Sequence, residues 1–270
     1  MTDTLTISPI WRYVADNFSE DTISGIHLMI WSGGFSMAAF NGENTPLMVQ
    51  TYLTRKRPDH LWMKELIRQD GFLKRHARKV SKVWLSEERN LLVPHDIYEE
   101  NDAESWLRKF HYLSPDESLL HFNLEGVLGA NILFPISEDL KVFLTYEFPK
   151  AVFAPLSRQA FLPDEKESPV GAQMVCLPRE VILTLSHNGQ FIYHLVYPYE
   201  SPQNIIYKIA LVLEEKGMSQ EQVTAIRFSG IAPFWNNIIH ELSPYFSLSV
   251  PSQDTTEMTL QFLKDLCSCA

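Results

Sequence analysis

One order of elements occurs twice along this chain and limits the folds that the chain can adopt. Apolar runs separated by short turns predict strand hairpins, and patterns typical of alternating strands and helices follow each hairpin. The first cycle begins near residue 26 and the second near residue 181, with almost no identity between them. Meandering strands followed by strand–helix alternation predict an α/β fold, with a mixed sheet flanked by helices in each cycle.

The segment Pro163–Gly171 is the best candidate for a linker between the two cycles. It is charged, contains two prolines and ends in glycine, a composition that favours a connection over a strand or helix. We therefore expect a first domain over residues 1–170, which includes an insertion, and a second domain over residues 171–270.

Three short polar turns follow predicted strands. The first is at Ser32, Gly33 and Gly34, the second includes Asn188 and Gly189, and the third is at Ser229 and Gly230. A turn such as the first either directs main-chain N–H groups towards a phosphate or only joins two strands.

The charge distribution is uneven. The chain has a net charge of −10, which argues against broad nucleic-acid binding, yet the segment Arg55–Lys82 carries ten Lys or Arg and only three acidic residues. This segment is either a solvated helical face that pairs with acidic neighbours or a docking patch for an acidic protein or RNA. The residues of this candidate docking patch are Arg55, Lys56, Arg57, Lys74, Arg75, Arg78 and Lys79.

Composition also indicates the compartment. No apolar run approaches the length of about 20 residues that a membrane span needs, and the N-terminus lacks the pattern of a secretory signal. Three cysteines do not form a disulfide framework, and Cys267 and Cys269 have no partners at metal-site spacing. We expect a cytoplasmic protein that does not contact membranes and has no metal site.

The doubled pattern and three stretches of sequence carry a family resemblance. The stretches ISGIHLMIWSGGFSMAAFNGEN, NLLVPHDIY and HFNLEGVLGANILFPI resemble an uncharacterised family with an actin-like ATPase (ribonuclease H-like) fold. The resemblance implies duplicated ribonuclease H-like domains with mixed five-stranded sheets, which enclose a nucleotide cleft. It also implies that Ser32–Gly34 and His187–Gly189 face phosphates and that Ser229 and Gly230 hold the adenosine.

The chemistry expected of an ATPase is missing at the matching positions. ATPases of this superfamily place an aspartate at the end of the first strand of each half, where it holds Mg²⁺ and its waters, because Mg²⁺ requires hard oxygen ligands. The matching residues here are Ile30, Trp31 and Ser32 in the first half, and Thr184, Leu185 and Ser186 in the second. We therefore predict no catalytic residues and no cofactor, with metal-free ATP as the lesser alternative.

Three functional hypotheses follow from the sequence. The first is a non-catalytic protein of degenerate actin-like fold that acts as a scaffold or through contacts with another protein. The second is a nucleotide-binding ATPase or phosphotransferase that recruits acidic residues from elsewhere, such as Asp139, Glu147 or Glu125. The third is an RNA-associated factor that uses the basic segment at residues 55–82, for which binding should weaken steeply with salt.

Overall fold

A computed structural model shows how the chain divides. The chain forms two compact units. Unit 1 comprises Met1–Phe122 and Asn131–Leu156, and unit 2 comprises Asn123–Ala130 and Ser157–Ala270. The structure describes residues 7–124, 128–161, 170–187, 190–231, 235–252 and 254–268.

Unit 1 is built on a mixed sheet. Its described strands lie in the order β1-β4-β3-β2-β5-β9, with β2 parallel to β5 and antiparallel to β3. The central strand β2 is buried over nearly its whole length, which explains its almost continuous apolar sequence. The strands up to residue 156 are β1 (Trp11–Val14), β2 (Gly25–Trp31), β3 (Gly34–Phe40), β4 (Pro46–Leu53), β5 (Val80–Leu85), β6 (Leu91–Pro94), β7 (Glu117–Asn123), β8 (Ala130–Ser137) and β9 (Val152–Pro155).

The helices of unit 1 begin where the sequence provides caps. Asp70 separates the first two helices, because it ends α1 and its carboxylate accepts a hydrogen bond from Leu73 N at the start of α2. Asp59 caps α1 in the same way through Trp62 N, at 2.8 Å. The helices are α1 (His60–Gln69), α2 (Gly71–His76), α3 (Ala103–Arg108) and α4 (Glu138–Glu147).

The chain between β5 and β9 forms a small substructure. It contains a second sheet in the order β6-β8-β7, together with α3. A separate apolar cluster that includes Val93, Leu107 and Leu133 fills the space between this sheet and the helix. This substructure therefore has its own small core.

Unit 2 repeats the strand order of the first sheet. Its described strands lie in the order β12-β11-β10-β13-β14, with β10 parallel to β13 and antiparallel to β11. Helix α5 begins with a capping box at Ser201 and Asn204 and a proline in the first turn. The elements are β10 (Val170–Leu177), β11 (Glu180–His187), β12 (Gln190–Pro198), α5 (Pro202–Glu215), β13 (Val223–Gly230), α6 (Trp235–Leu242), β14 (Leu248–Ser249) and α7 (Thr255–Ser268).

The predicted fold class is confirmed, with two corrections. The first sheet gains a sixth strand, β1, which the sequence analysis did not predict. The second cycle begins not at residue 181 but with β10, so that Gly171, which was assigned to the linker, lies in a strand. Residues 163–169 of the predicted linker lie outside the described part of the chain.

Candidate functional site

The first predicted turn lies between β2 and β3. Trp31 pairs with Gly34, so Ser32 and Gly33 form a tight two-residue connection. A Cβ atom on Gly34 would lie 2.4 Å from the Tyr52 carbonyl oxygen and 2.7 Å from the Trp31 ring. Trp31 is fully buried. Glycine is therefore required at position 34 by the close approach of the Tyr52 carbonyl and the Trp31 indole, rather than by a left-handed backbone conformation.

Two loops flank this turn at the same edge of the sheet. The loop after β4 is attached through Thr54, whose N–H donates to the Gly33 carbonyl at 3.1 Å. The loop after β5 is attached through Ser86, whose N–H donates to the Ile30 carbonyl at 3.0 Å. Since β4 and β5 are separated by β3 and β2, the two loops lie on either side of the turn.

A salt bridge connects the two loops. Arg57, from the loop after β4, pairs through Nη1 with Glu87 Oε2 in the loop after β5. Glu87 also contacts Arg89, whose Nη2 lies 2.6 Å from Glu117 Oε1. The hydrogen bond from Arg89 lowers the pKa of Glu117, and the same bond raises the pKa of Arg89. The structure thus brings Arg57, predicted as part of a surface patch, to the edge that holds Ser32–Gly34.

The equivalent turn of unit 2 is not the one that the sequence suggested. Leu177 pairs with Glu180, so the first hairpin of the second sheet turns at Pro178 and Arg179, with Arg179 in a left-handed conformation (φ 68°). His187 instead ends β11, in the second hairpin. Asn188 and Gly189, predicted to face a phosphate, lie outside the described residues.

The predicted adenosine turn is the end of a strand. Ser229 and Gly230 are the last residues of β13 and pair with Val175 and Cys176 of β10. Gly230 has a φ of 132°, and a Cβ atom there would lie 1.9 Å from the Cys176 carbonyl oxygen. The prediction of a turn at these residues is wrong, because β13 continues alongside β10 up to Gly230.

Apolar side chains follow directly after β13. Ile231 is fully buried, and its N–H donates to the Cys176 carbonyl at 2.9 Å. The indole of Trp235 donates to the Ile231 carbonyl at 2.8 Å. Its ring lies edge-on to Phe228, with centroids 5.3 Å apart. This end of the second sheet is therefore a packed apolar junction.

The residues at the two strand ends do not fit a magnesium ion. The first sheet presents Ile30, Trp31 and Ser32, and the corresponding end of β10 presents Cys176 and Leu177. Two carboxylates stand near these ends: that of Glu180 at the start of β11, which is fully buried, and that of Glu87 in the loop after β5, which is paired with Arg57 and Arg89. Across the described ranges no group of three or more His, Cys, Asp or Glu residues could hold a metal ion. Asp139 and Glu147 lie on α4 instead, and Glu125 is outside the described residues.

The predicted docking patch is partly paired within unit 1. Arg75 contacts Glu20 at 2.7 Å, and Lys79 Nζ donates to the Ile23 carbonyl at 2.9 Å. The hydrogen bond from Arg75, followed by one from His76, lowers the pKa of Glu20 to about 2. Arg57 and Arg75 therefore pair with acidic neighbours, as the first interpretation of this segment predicted. The structure gives no support for an RNA interface. The patch residues Arg55, Lys56, Lys74 and Arg78 are exposed.

Within the described residues, no helix is long and apolar enough to cross a membrane.

Comparison with solved structures shows that this chain has an actin-like ATPase fold. It is similar to a Bacteroides thetaiotaomicron protein with actin-like ATPase fold and unknown function, at 17% identity and a TM-score of 0.64. That alignment covers 90% of this chain and 98% of the other chain. The chain belongs to the family described as "Protein of unknown function (DUF3822)", whose model matches residues 15–248.

Weaker similarities exist to two further structures. The cytoplasmic domain of EpsL, an inner membrane component of the type II secretion system of Vibrio cholerae, aligns at 11% identity and a TM-score of 0.48, covering 90% of this chain and 96% of the other. Ethanolamine utilization protein EutJ from Carboxydothermus hydrogenoformans aligns at 8% identity and a TM-score of 0.47, covering 93% and 95%. No curated protein matches the chain significantly.

Proposed function

We propose that this chain is a non-catalytic protein of actin-like fold, which acts by binding another protein rather than by turning over a nucleotide. The observation that carries the proposal is the chemistry of the two strand ends. Trp31 follows Ile30 at the end of β2, and Leu177 follows Cys176 at the end of β10, where a magnesium-dependent enzyme needs carboxylates. Phosphoryl transfer relies on metal ions to neutralise the developing charge.

Electrostatics also disfavours a nucleotide without a metal. The chain carries a net charge of −10, and an unchelated nucleoside triphosphate would add further negative charge to it. Near the strand ends, Glu180 lies in unit 2 and Glu87 in unit 1, where Glu87 is paired with Arg57 and Arg89. A single carboxylate in each unit does not provide the ligand set that Mg²⁺ prefers.

An exposed apolar surface supports the binding role. Leu61 on α1 is 63% exposed, and Val142 and Tyr146 on α4 are 57% and 80% exposed. The two helices are neighbours, with His60 Nδ1 3.8 Å from Asp139 Oδ2. Clustered apolar side chains on a protein surface often mark sites of protein–protein contact. We name this the α1–α4 surface.

Calorimetry and a turnover assay test the absence of catalysis. We expect no phosphate release from ATP in the presence of Mg²⁺, and no gain in the heat of binding of ATP or ADP when Mg²⁺ is added. Magnesium-dependent turnover that disappears in Glu180→Gln or Ser32→Ala would overturn the proposal, and the first result would identify Glu180 as the metal ligand.

Site-specific photocrosslinking in cells tests the binding role. A photoreactive amino acid at Leu61 or Tyr146 should give a crosslink to another protein. The matched control is Tyr207 on α5, which is 67% exposed but lies in unit 2. Equal crosslinking from Tyr207, or none from the α1–α4 surface, would contradict the assignment of this surface.

A further inference from the structure

Three enclosed polar atoms lie at the edge of the first sheet. Arg57 Nε, Arg57 Nη2 and Ser86 Oγ are inaccessible to water and have no hydrogen-bond partner among the described residues. Ser86 is 2% exposed, and the Arg57 side chain as a whole is 21% exposed. Buried polar groups are normally paired, and a guanidinium with unmet N–H donors is costly. A cluster of such donors therefore points to a missing acceptor.

The two Arg57 atoms form one edge of the guanidinium group. Nη1 is engaged by Glu87, which leaves Nε and Nη2, whose N–H bonds point in parallel. Two parallel N–H donors match two oxygens of one carboxylate or phosphate group, the geometry in which arginine binds oxyanions most strongly. The Ser86 hydroxyl can donate a further hydrogen bond.

The positions of Arg57 and Ser86 in the chain bring both residues to one edge of the first sheet. Ser86 immediately precedes Glu87, the residue that pairs with Arg57. Arg57 lies in the loop that is attached to the β2–β3 turn through Thr54, and Ser86 is attached to the end of β2. Both donor groups therefore lie at the carboxyl-terminal edge of the sheet, and the salt bridge to Glu87 brings the Arg57 side chain to the residue next to Ser86.

The local charge favours an anion. Arg57, Glu87, Arg89 and Glu117 form a chain of ion pairs in which positive and negative charges balance. Arg55 and Lys56, just before Arg57, are exposed and form no salt bridge with any described residue, so the loop keeps an excess of positive charge.

We propose that Arg57 and Ser86 bind an oxyanion, either a carboxylate or a phosphate group, without a metal ion. Because the donor atoms are enclosed, binding requires a shift of the loop at residues 54–57. Among the described residues of unit 2, the position that corresponds to Ser86 is taken by the buried Ile231, which has no hydroxyl group to donate. The inference does not depend on the proposed function.

Arginine side-chain NMR tests the site in the intact protein. The Nε–H resonance of Arg57 is first identified by through-bond correlations. It is then followed in two separate titrations, one with inorganic phosphate and one with an N-acetylated, amidated triglutamate peptide. Both titrations are done at constant ionic strength and without Mg²⁺. We expect this resonance and the main-chain amides of residues 54–57 to shift. A response to phosphate alone or to the peptide alone identifies the source of the oxyanion.

Variants separate a specific site from general attraction. Arg57→Lys keeps the charge but removes the parallel donors and should weaken binding about 10- to 100-fold. Ser86→Ala should weaken it less, and Arg227→Lys, at an exposed position of β13 in unit 2, should leave it unchanged. No shift with either probe at millimolar concentration, or equal binding by Arg57→Lys and the parent protein, overturns the proposal. If Arg57→Lys does not fold, the parent titration and Ser86→Ala decide.

Discussion

The two units treat the end of their central strand differently, although the surrounding strands have the same order. In both units, the residue after the parallel neighbour of the central strand donates a main-chain hydrogen bond to the end of that strand. Ser86 N donates to Ile30 O at 3.0 Å in unit 1, and Ile231 N donates to Cys176 O at 2.9 Å in unit 2. The side chains differ in character. Unit 1 presents a hydroxyl group and a guanidinium, whereas unit 2 presents a buried isoleucine.

Each unit also has a glycine that permits close packing beside the central strand, but the two glycines lie on opposite sides of it. In unit 1, Gly34 lies on the antiparallel neighbour and makes room for the Trp31 indole; in unit 2, Gly230 lies on the parallel neighbour and makes room for the backbone of Cys176. The two units therefore share their strand order, but the side chains that pack at their strand ends are different.

Gly230→Ala should produce the largest effect. The new Cβ would overlap the Cys176 carbonyl at 1.9 Å and hold an unfavourable φ of 132°, so we expect a loss of about 3 to 5 kcal/mol. Denaturant unfolding, with hydrogen exchange to locate the change in β10 and β13, measures it. Gly217→Ala is the control, since φ is 66° but no atom lies within 4 Å; it should cost about 1 kcal/mol. Equal losses would show that the close approach is not decisive.

Acid should destabilise unit 1 through His27 on β2. Burial lowers the pKa of His27 to about 4, and Lys82 contributes to this shift, whereas the unfolded chain takes up the proton near 6.5. The free energy of unfolding therefore falls as the pH drops below about 6.5 and levels off below about 4, by at most about 3 kcal/mol.

The matched variant for this prediction is His27→Gln. By the sheet registers, the position on β10 that corresponds to His27 is occupied by Gln173. Unfolding measured at several pH values should show a smaller acid-induced loss in the variant. An identical pH dependence in both proteins would remove His27 as a cause.

Gly34→Ala should have the smallest effect of the three. The added methyl would meet the Tyr52 carbonyl at 2.4 Å and the Trp31 ring at 2.7 Å, and we expect a loss of about 1 to 3 kcal/mol. Gly42→Ala, with no atom within 4 Å, should change stability by less than about 0.5 kcal/mol. Thermal unfolding curves followed by circular dichroism measure the loss of stability. No difference between the two variants would contradict the packing argument.

The sequence predicted the first sheet better than the second. The strands β2 and β3 are apolar runs bounded by glycine and asparagine, which are strong local signals. Strand β10 was missed because its turn lacks such signals: Arg179, rather than glycine, takes the left-handed conformation. A charged, proline-containing stretch just before β10 also resembled a linker.

The candidate site could be predicted only in part. Ser32–Gly34 was recognisable from local composition, and the structure places it at a hairpin turn. Arg57 was assigned to a surface patch, since its contact with Glu87 joins residues far apart in the sequence. Contacts of that kind depend on strand order, which local patterns do not specify. Ser86 had no signal of its own, because a lone serine after a strand is common.

The first strand has a consequence for handling the protein. β1 precedes β2 in the chain but pairs with β4 at the far edge of the sheet. Strand β4 is uncharged and almost completely buried, so a chain shortened past Val14 would leave its outer backbone groups open to solvent and to other molecules. Such a truncated chain should self-associate edge to edge, even though every residue of the central strands is still present.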